Sequence, residues 1–183
     1  MNCSYCHLDG VITIHPQVFG DERGFFLESY NEEKFRLAGI FDVFRQDNHS
    51  RSVKNTLRGL HFQTKPGQAK LVRAVSGVIW DVAVDLRKNS KTFGSWFSIE
   101  LSAENKKILY VPVGFAHGFC VISDYAEVVY KASNIYNPET ESGIMWNDPH
   151  FSIPWPVKDP ILSARDYNNC SFADYKKNPV FFG

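Results

Sequence analysis

The sequence has no net charge, since 20 lysines and arginines stand against 20 aspartates and glutamates. A neutral chain projects no long-range field toward a polyanion, so nucleic acid is not an expected partner and a charged ligand must be met by a local cluster. Long apolar runs are missing too; none approaches the roughly 18 residues of a membrane span. The polar start Met1-Asn2-Cys3-Ser4 lacks the basic-then-apolar order of an export signal, so a cytoplasmic protein with no membrane contact is expected. Cysteine is scarce, with four in 183 residues. A chain of this length buries roughly two-thirds of its unfolded surface, enough for a core without disulfide staples.

Two of those cysteines form Cys3-Ser4-Tyr5-Cys6-His7, the C-x-x-C-H spacing of covalent haem attachment. That chemistry belongs to exported proteins, and a zinc knuckle would need a second ligand pair that Cys120 and Cys170 are poorly placed to supply. Residues 1–10 therefore read as a frayed or extended terminus with reduced thiols.

What the chain does contain is a succession of short strand-like runs separated by turn residues, a mostly-β pattern. The candidates are Val11 to Ile14, Phe25 to Tyr30, Lys70 to Ser76, Val78 to Arg87, Ser95 to Leu101, Lys107 to Val111, Gly118 to Ile122 and Glu127 to Ser133. Their spacing predicts a β-sandwich or jelly roll. In the run Val78 to Arg87, Val78, Trp80, Val82, Val84 and Leu86 share one face while Ile79, Asp81, Ala83, Asp85 and Arg87 share the other. The carboxylate-bearing face fits the lining of a polar cavity, although solvent exposure is the commoner explanation. One short helix is predicted over Glu32 to Ala38, with Asn31 as N-cap and Gly39 as the stop. No repeat or linker divides residues 1–183, so one domain is expected, with the aromatic tail 167–183 packed on the body or on a partner subunit.

Four polar segments lie beside this strand-like sequence: Gly20 to Glu28, Gln46 to Ser50, Leu57 to Gln63 and Val111 to Phe119. Taken singly, each has a bland explanation as a turn, a polar loop or a core histidine. Pro112-Val113-Gly114-Phe115-Ala116-His117 has the P-x-G-x-x-H spacing of the second cupin motif, in which the histidine can bind metal. The first cupin motif then decides. It calls for two histidines one residue apart, whereas His61 is followed by Phe62 and Gln63. Two imidazoles and a neutral amide are a poor donor set for iron, zinc or nickel, so no metal is expected.

FGDERGFF (Phe19 to Phe26), QDNHS (Gln46 to Ser50), RGLHFQ (Arg58 to Gln63) and FAHGF (Phe115 to Phe119) resemble the signature segments of the dTDP-4-dehydrorhamnose 3,5-epimerases. DVAVDLR (Asp81 to Arg87), LSAENK (Leu101 to Lys106), YKASN (Tyr130 to Asn134), WNDP (Trp146 to Pro149) and LSARD (Leu162 to Asp166) extend the resemblance in the same order. It spans about Val11 to Asp166.

The resemblance implies a cupin-like double-stranded β-helix with short peripheral helices. It also implies an isomerase that inverts C3 and C5 of dTDP-4-keto-6-deoxy-D-glucose through an enolate, without cofactor. Such an enzyme would serve dTDP-rhamnose biosynthesis for lipopolysaccharide or another cell-surface polysaccharide. That chemistry needs a base, an acid on the opposite face and a cation at the developing oxyanion. By resemblance His61 is the base, Asp166 its partner carboxylate, Tyr130 the acid and Lys70 the enolate partner. Lys70, Arg23, Arg58, Arg165, Gln46, Asp47, Asn48, His117, Glu28, Glu141 and Phe26 would contact the dTDP-sugar. The stretch Arg23 to Glu28 would reach a neighbouring subunit, implying a homodimer.

Strict alternation places Arg58 on the strand face opposite His61, so both meet one ligand only if Gly59 introduces a bulge or the ligand reaches around an edge. Position 165 is arginine where relatives commonly have lysine, which alters reach but not charge. The competing readings are a single-carbon C3 or C5 epimerase, a 4-keto isomerase, a non-catalytic nucleotide-sugar-binding cupin and a metal-dependent oxygenase on the same scaffold.

Overall fold

A computed structural model describes residues 1–182 and shows thirteen strands, two short helices and a 3-10 turn among them. The strands are β1 (Asn2–Tyr5), β2 (Ile12–His15), β3 (Val18–Asp21), β4 (Gly24–Leu27), β5 (Gln46–Val53), β6 (Leu57–Gln63), β7 (Lys70–Ser76), β8 (Val78–Asp85), β9 (Trp96–Ser102), β10 (Ile108–Val111), β11 (Phe115–Val121), β12 (Tyr125–Ala132) and β13 (Glu141–Gly143). One sheet runs β1-β2-β10-β7-β12-β5 and the other β13-β6-β11-β8-β9, while β3 and β4 stand apart as a hairpin. Every strand pairing is antiparallel. The result is the jelly roll expected from the strand spacing.

Between the two sheets, alternate residues of each strand meet. Val72, Ala74, Ala126 and Val128 from the six-stranded sheet pack against Ile79, Ala83, Leu101, Phe115, Phe119 and Val121 from the five-stranded one. Polar residues of the same inward faces gather toward one end and form the site.

The run Val78 to Arg87 turns out to have no solvent face. Ile79 and Ala83 point between the sheets, and Asp81 and Asp85 are both fully buried. Trp80, Val82, Val84 and Leu86 point outward, yet they too are covered, because the segment after β13 folds back over that surface. Phe151, Phe172 and Tyr175 fill this third layer, and the Tyr175 hydroxyl donates to the Leu86 carbonyl at 2.8 Å. The aromatic tail therefore packs on the body. Alternation in a strand reports that both faces differ in chemistry, but not that a later segment will cover one of them.

Helix α1 (Glu32–Leu37) begins where expected, its Asn31 cap accepting from the Lys34 amide at 3.2 Å. With Ile12, Ile14, Leu71, Ile108 and Tyr110, its Phe35 covers the outer face of the six-stranded sheet. Helix α2 (Phe172–Lys177) belongs to the tail and is capped by Ser171. Residues 1–10 are not frayed, since β1 pairs with β2 in the register Cys3↔Ile14 and Tyr5↔Ile12. All four cysteines are free thiols. Among the described residues no helix is long and apolar enough to cross a membrane.

Candidate active site

The two sheets supply opposite walls of one cavity of about 280 Å³, lined by Gln46, Asn48, His61, Gln68, Lys70, Tyr130, Tyr136 and Glu141. Strand β6 brings His61 from the five-stranded sheet. Strands β7 and β12, adjacent in the six-stranded sheet, bring Lys70 and Tyr130. Gln46 and Asn48 follow from the inward face of the edge strand β5, where Asn48 is the register partner of Tyr130.

On the first wall, His61 Nε2 donates to Asp166 Oδ1 at 2.5 Å, which leaves Nδ1 as the basic nitrogen. Asp166 is only 3% exposed. Its Oδ2 accepts from the Ser163 hydroxyl at 2.7 Å and the Ser163 amide at 3.3 Å, while Oδ1 also accepts from the Gly59 amide at 3.4 Å. Burial alone would raise the Asp166 carboxyl, but the hydrogen bonds from His61 and Ser163 outweigh it and hold the group below the usual carboxylate range. Burial likewise dominates at His61 and lowers it below the ordinary histidine value, against the opposing pull of Asp166. A neutral imidazole held by a charged carboxylate is ready to accept a proton.

Across the cavity, burial pushes Lys70 down to about 8, with Glu141 and Asp81 acting in the opposite direction. It is still mostly a cation at neutral pH. Burial raises Tyr130, reinforced by Glu141 and resisted by Arg58, so its hydroxyl keeps its proton. A second histidine–carboxylate pair lies deeper: His117, the register partner of His61, places Nε2 2.9 and 3.0 Å from the two oxygens of fully buried Asp81.

Arg58, though exposed, lies on the same side of β6 as His61, despite the odd spacing between them. The pairing of β6 with β11 runs His61↔His117 and then Arg58↔Phe119, so β6 carries one extra residue and bulges. After the bulge, Arg58 Nε donates to the Ser52 hydroxyl at 3.0 Å across to β5. At the mouth, Arg165 forms an ion pair with Glu141, and the Tyr136 hydroxyl is hydrogen-bonded to the same carboxylate, which raises that hydroxyl above its ordinary value.

Four residues named from the resemblance do not enter the cavity of their own chain. Arg23 pairs with Asp21 at 2.5 Å on the exposed β3–β4 hairpin, Phe26 is 69% exposed there, and Glu28 bonds Lys34 and Asn31. Asp47 faces away from the site because it alternates with Gln46 and Asn48, and it pairs with Lys131 on the outer surface. Conversely, Gln68, Tyr136 and Ser163 belong to the site or its support without any expectation from the sequence, whereas Asp81 lies on the face that the alternation of Val78 to Arg87 suited to a polar cavity. Asp81 is indeed held on that inward face, between Ile79 and Ala83. Tyr136 had no signal, since an exposed loop tyrosine looks like any other.

Among the described residues no group of three His, Cys, Asp or Glu side chains is placed to hold a metal ion. His61 and His117 are each committed to a carboxylate.

The model of the dTDP-4-dehydrorhamnose 3,5-epimerase family matches residues 5–174. The chain belongs to that family. A dTDP-4-dehydrorhamnose 3,5-epimerase of Shigella flexneri is 53% identical over 176 residues, covering 95% of this chain and 97% of that protein. The crystal structure of the Elizabethkingia anophelis 3,5-epimerase superposes with a TM-score of 0.91 at 50% identity, covering 95% and 97% of the two chains. That of the Legionella pneumophila epimerase, in complex with dTDP-4-keto-L-rhamnose, gives 0.93 at 42% identity over 100% and 99%. Membership of this epimerase family makes the chain an isomerase.

Proposed function

We propose that this chain, as one catalytic domain, converts dTDP-4-keto-6-deoxy-D-glucose into dTDP-4-keto-L-rhamnose by inverting C3 and C5. The observation that carries the mechanism is the division of labour between the two sheets. The His61–Asp166 pair occupies one wall, and Lys70 with Tyr130 occupies the other.

The C4 ketone acidifies the C–H bonds on either side of it. His61 Nδ1 takes the proton from one face, the electron pair of that bond passes into the ring as an enolate, and the oxyanion sits beside the Lys70 ammonium. Tyr130 then gives its proton to the opposite face of C5, which re-forms the ketone with inverted configuration, and solvent resets both residues. No electrons enter or leave, so the route consumes no redox equivalent. The ammonium acts mainly where charge develops, and so lowers the barrier more than it tightens ground-state binding. Asp166 orients the imidazole and stabilises the imidazolium that forms.

Arg58 and Arg165, with Gln46, Asn48, Glu141 and His117, are the groups we assign to the diphosphate and sugar. Arg23, Phe26 and Glu28 serve the site of a second copy in a homodimer. This reading is supported by the hairpin's isolation from both sheets and by the exposure of Phe19, Phe25 and Phe26 at 55%, 62% and 69%. The setting is the cytoplasm, where the product feeds a cell-surface polysaccharide. Proton NMR of dTDP-4-keto-6-deoxy-D-glucose incubated with purified protein tests the assignment. Appearance of the L-rhamno product is expected; an unchanged substrate spectrum, or inversion at one carbon alone, contradicts it.

A further inference from the structure

Gln63 stands where a metal-binding cupin carries its second histidine, and the structure gives it a different task. Its side chain points into the protein end of β6 and the residue is only 3% exposed. Nε2 donates to the carbonyls of Pro66 and Ile135, both at 3.2 Å, and Oε1 accepts from the Asn137 amide at 2.9 Å. Both amide hydrogens and the carbonyl oxygen are thereby engaged by backbone groups, a set of partners that no other side chain of this length could satisfy.

Those backbone groups belong to two loops at the cavity mouth. One joins β6 to β7 and contains Pro66; the other joins β12 to β13 and contains Ile135, Tyr136 and Asn137. Two more glutamines hold the second loop from its flanks. Gln46 Oε1 accepts from the Tyr136 amide at 2.8 Å, and Gln68 Nε2 donates to the Asn134 carbonyl at 2.8 Å. Asn134 Nδ2 in turn donates to the Gly67 carbonyl at 2.6 Å. Ile135 and Tyr136 themselves remain 61% and 48% exposed. This loop therefore has little apolar burial to hold it, and its position depends on hydrogen bonds.

We propose that Gln63 is a positioning residue for the nucleotide sugar, suspending the loop from Asn134 to Thr140 so that Tyr136 and Glu141 stand ready at the cavity mouth. The inference rests on the epimerase reading for its substrate, but the suspension itself does not. The side-chain hydrogen bonds of Gln63 go to Pro66, Ile135 and Asn137, and none goes to His61, Tyr130 or Lys70. Its loss loosens the mouth and leaves the proton-transfer groups in place, so the cost falls on binding through the order that must be restored.

The test uses the full chain carrying Gln63→Met, which keeps length and volume but has no amide. With dTDP-4-keto-6-deoxy-D-glucose, KM is expected to rise about tenfold while kcat stays within about threefold. Amide hydrogen exchange should quicken in residues 134–141 and stay unchanged in β7 and β12. A fall in kcat at constant KM, unchanged kinetics, or exchange that quickens evenly through both sheets would overturn the proposal. Asn134→Ala, which removes a different tie of the same loop, is expected to act in the same direction by roughly threefold, and it decides the matter if Gln63→Met does not fold. Calorimetric binding of dTDP alone reads the same loosening without turnover. A wild type that binds dTDP but turns nothing over would count against the epimerase reading, whereas weaker dTDP binding by Gln63→Met would still support the suspension.

Discussion

Gly59 of β6 and Gly118 of β11 lie back to back, so that a Cβ placed on Gly59 would fall 2.5 Å from the Gly118 Cα. Gly59 also has φ of +136°, in the region that favours glycine. This contact lets β6 bulge, and the bulge turns Arg58 to the same side of the strand as His61 while the Gly59 amide donates to Asp166. Two glycines from separate motifs thus solve one geometric problem.

Gly118→Ala should therefore damage both stability and activity, because its new methyl would sit 2.7 Å from the Arg58 carbonyl oxygen, which is backbone and cannot swing away. A loss of roughly 1 to 3 kcal/mol in urea unfolding is expected, the range of overpacked buried sites. The fraction that stays folded should show a raised KM.

Part of this arrangement is legible in the sequence because the candidate site residues lie largely on strands, and strands alternate. Lys70 and Tyr130 were named by the family resemblance, and the structure puts both on the inward faces of adjacent strands β7 and β12. The need for a bulge at Gly59 follows from the odd spacing of Arg58 and His61. The edge strand β5 was harder to see. Gln46 to Val53 is polar on both faces, since one face meets the cavity and the other pairs Asp47 with Lys131 and His49 with Glu127. Such a strand lacks the apolar alternation by which strands are found. The covering of Trp80, Val82 and Val84 by a segment some 70 residues later was likewise invisible, because local periodicity carries no information about a third layer.

The rate of epimerisation should follow a bell in pH. His61 must be neutral to accept a proton, and burial lowers its pKa, so the acid limb is expected below the usual histidine midpoint of about 6.5. Lys70 must be charged, and its pKa is about 8, so activity should fall as pH rises through that value. Asp166→Asn removes the charge that raises the His61 pKa, and should move the acid limb lower while reducing kcat by roughly a hundredfold or more. An acid limb that moves upward in Asp166→Asn would contradict this coupling.

Lys70→Met should remove activity and yet stabilise the fold. The folded pKa of about 8 lies below the ordinary lysine value of 10.5, so the unfolded chain holds this proton more tightly and the native ammonium carries a cost. Below pH 8 the variant is expected to exceed wild type by roughly 1 to 3 kcal/mol in chemical denaturation. The advantage should shrink between pH 8 and 10.5 as wild-type Lys70 loses its charge on folding.

Subunit complementation distinguishes a hairpin that serves its own cavity from one that serves a neighbour's. Arg23→Ala with Phe26→Ala, and separately His61→Ala, should each give an almost inactive protein. Mixed under conditions that exchange subunits, they should recover roughly a quarter of wild-type activity, since half of a random mixture of dimers then holds one complete site. If the hairpin serves its own chain, mixing restores nothing.

The central claim is that base and acid act from opposite walls of one cavity, and deuterium exchange reads it directly. In deuterated water, wild type should place deuterium at both C3 and C5 of dTDP-4-keto-6-deoxy-D-glucose, and His61→Ala at neither. Tyr130→Phe should keep exchange at C3 and yield no inverted C5. Inverted C5 product from Tyr130→Phe, or exchange at either carbon in His61→Ala at the wild-type rate, would show that the proton passes by another route.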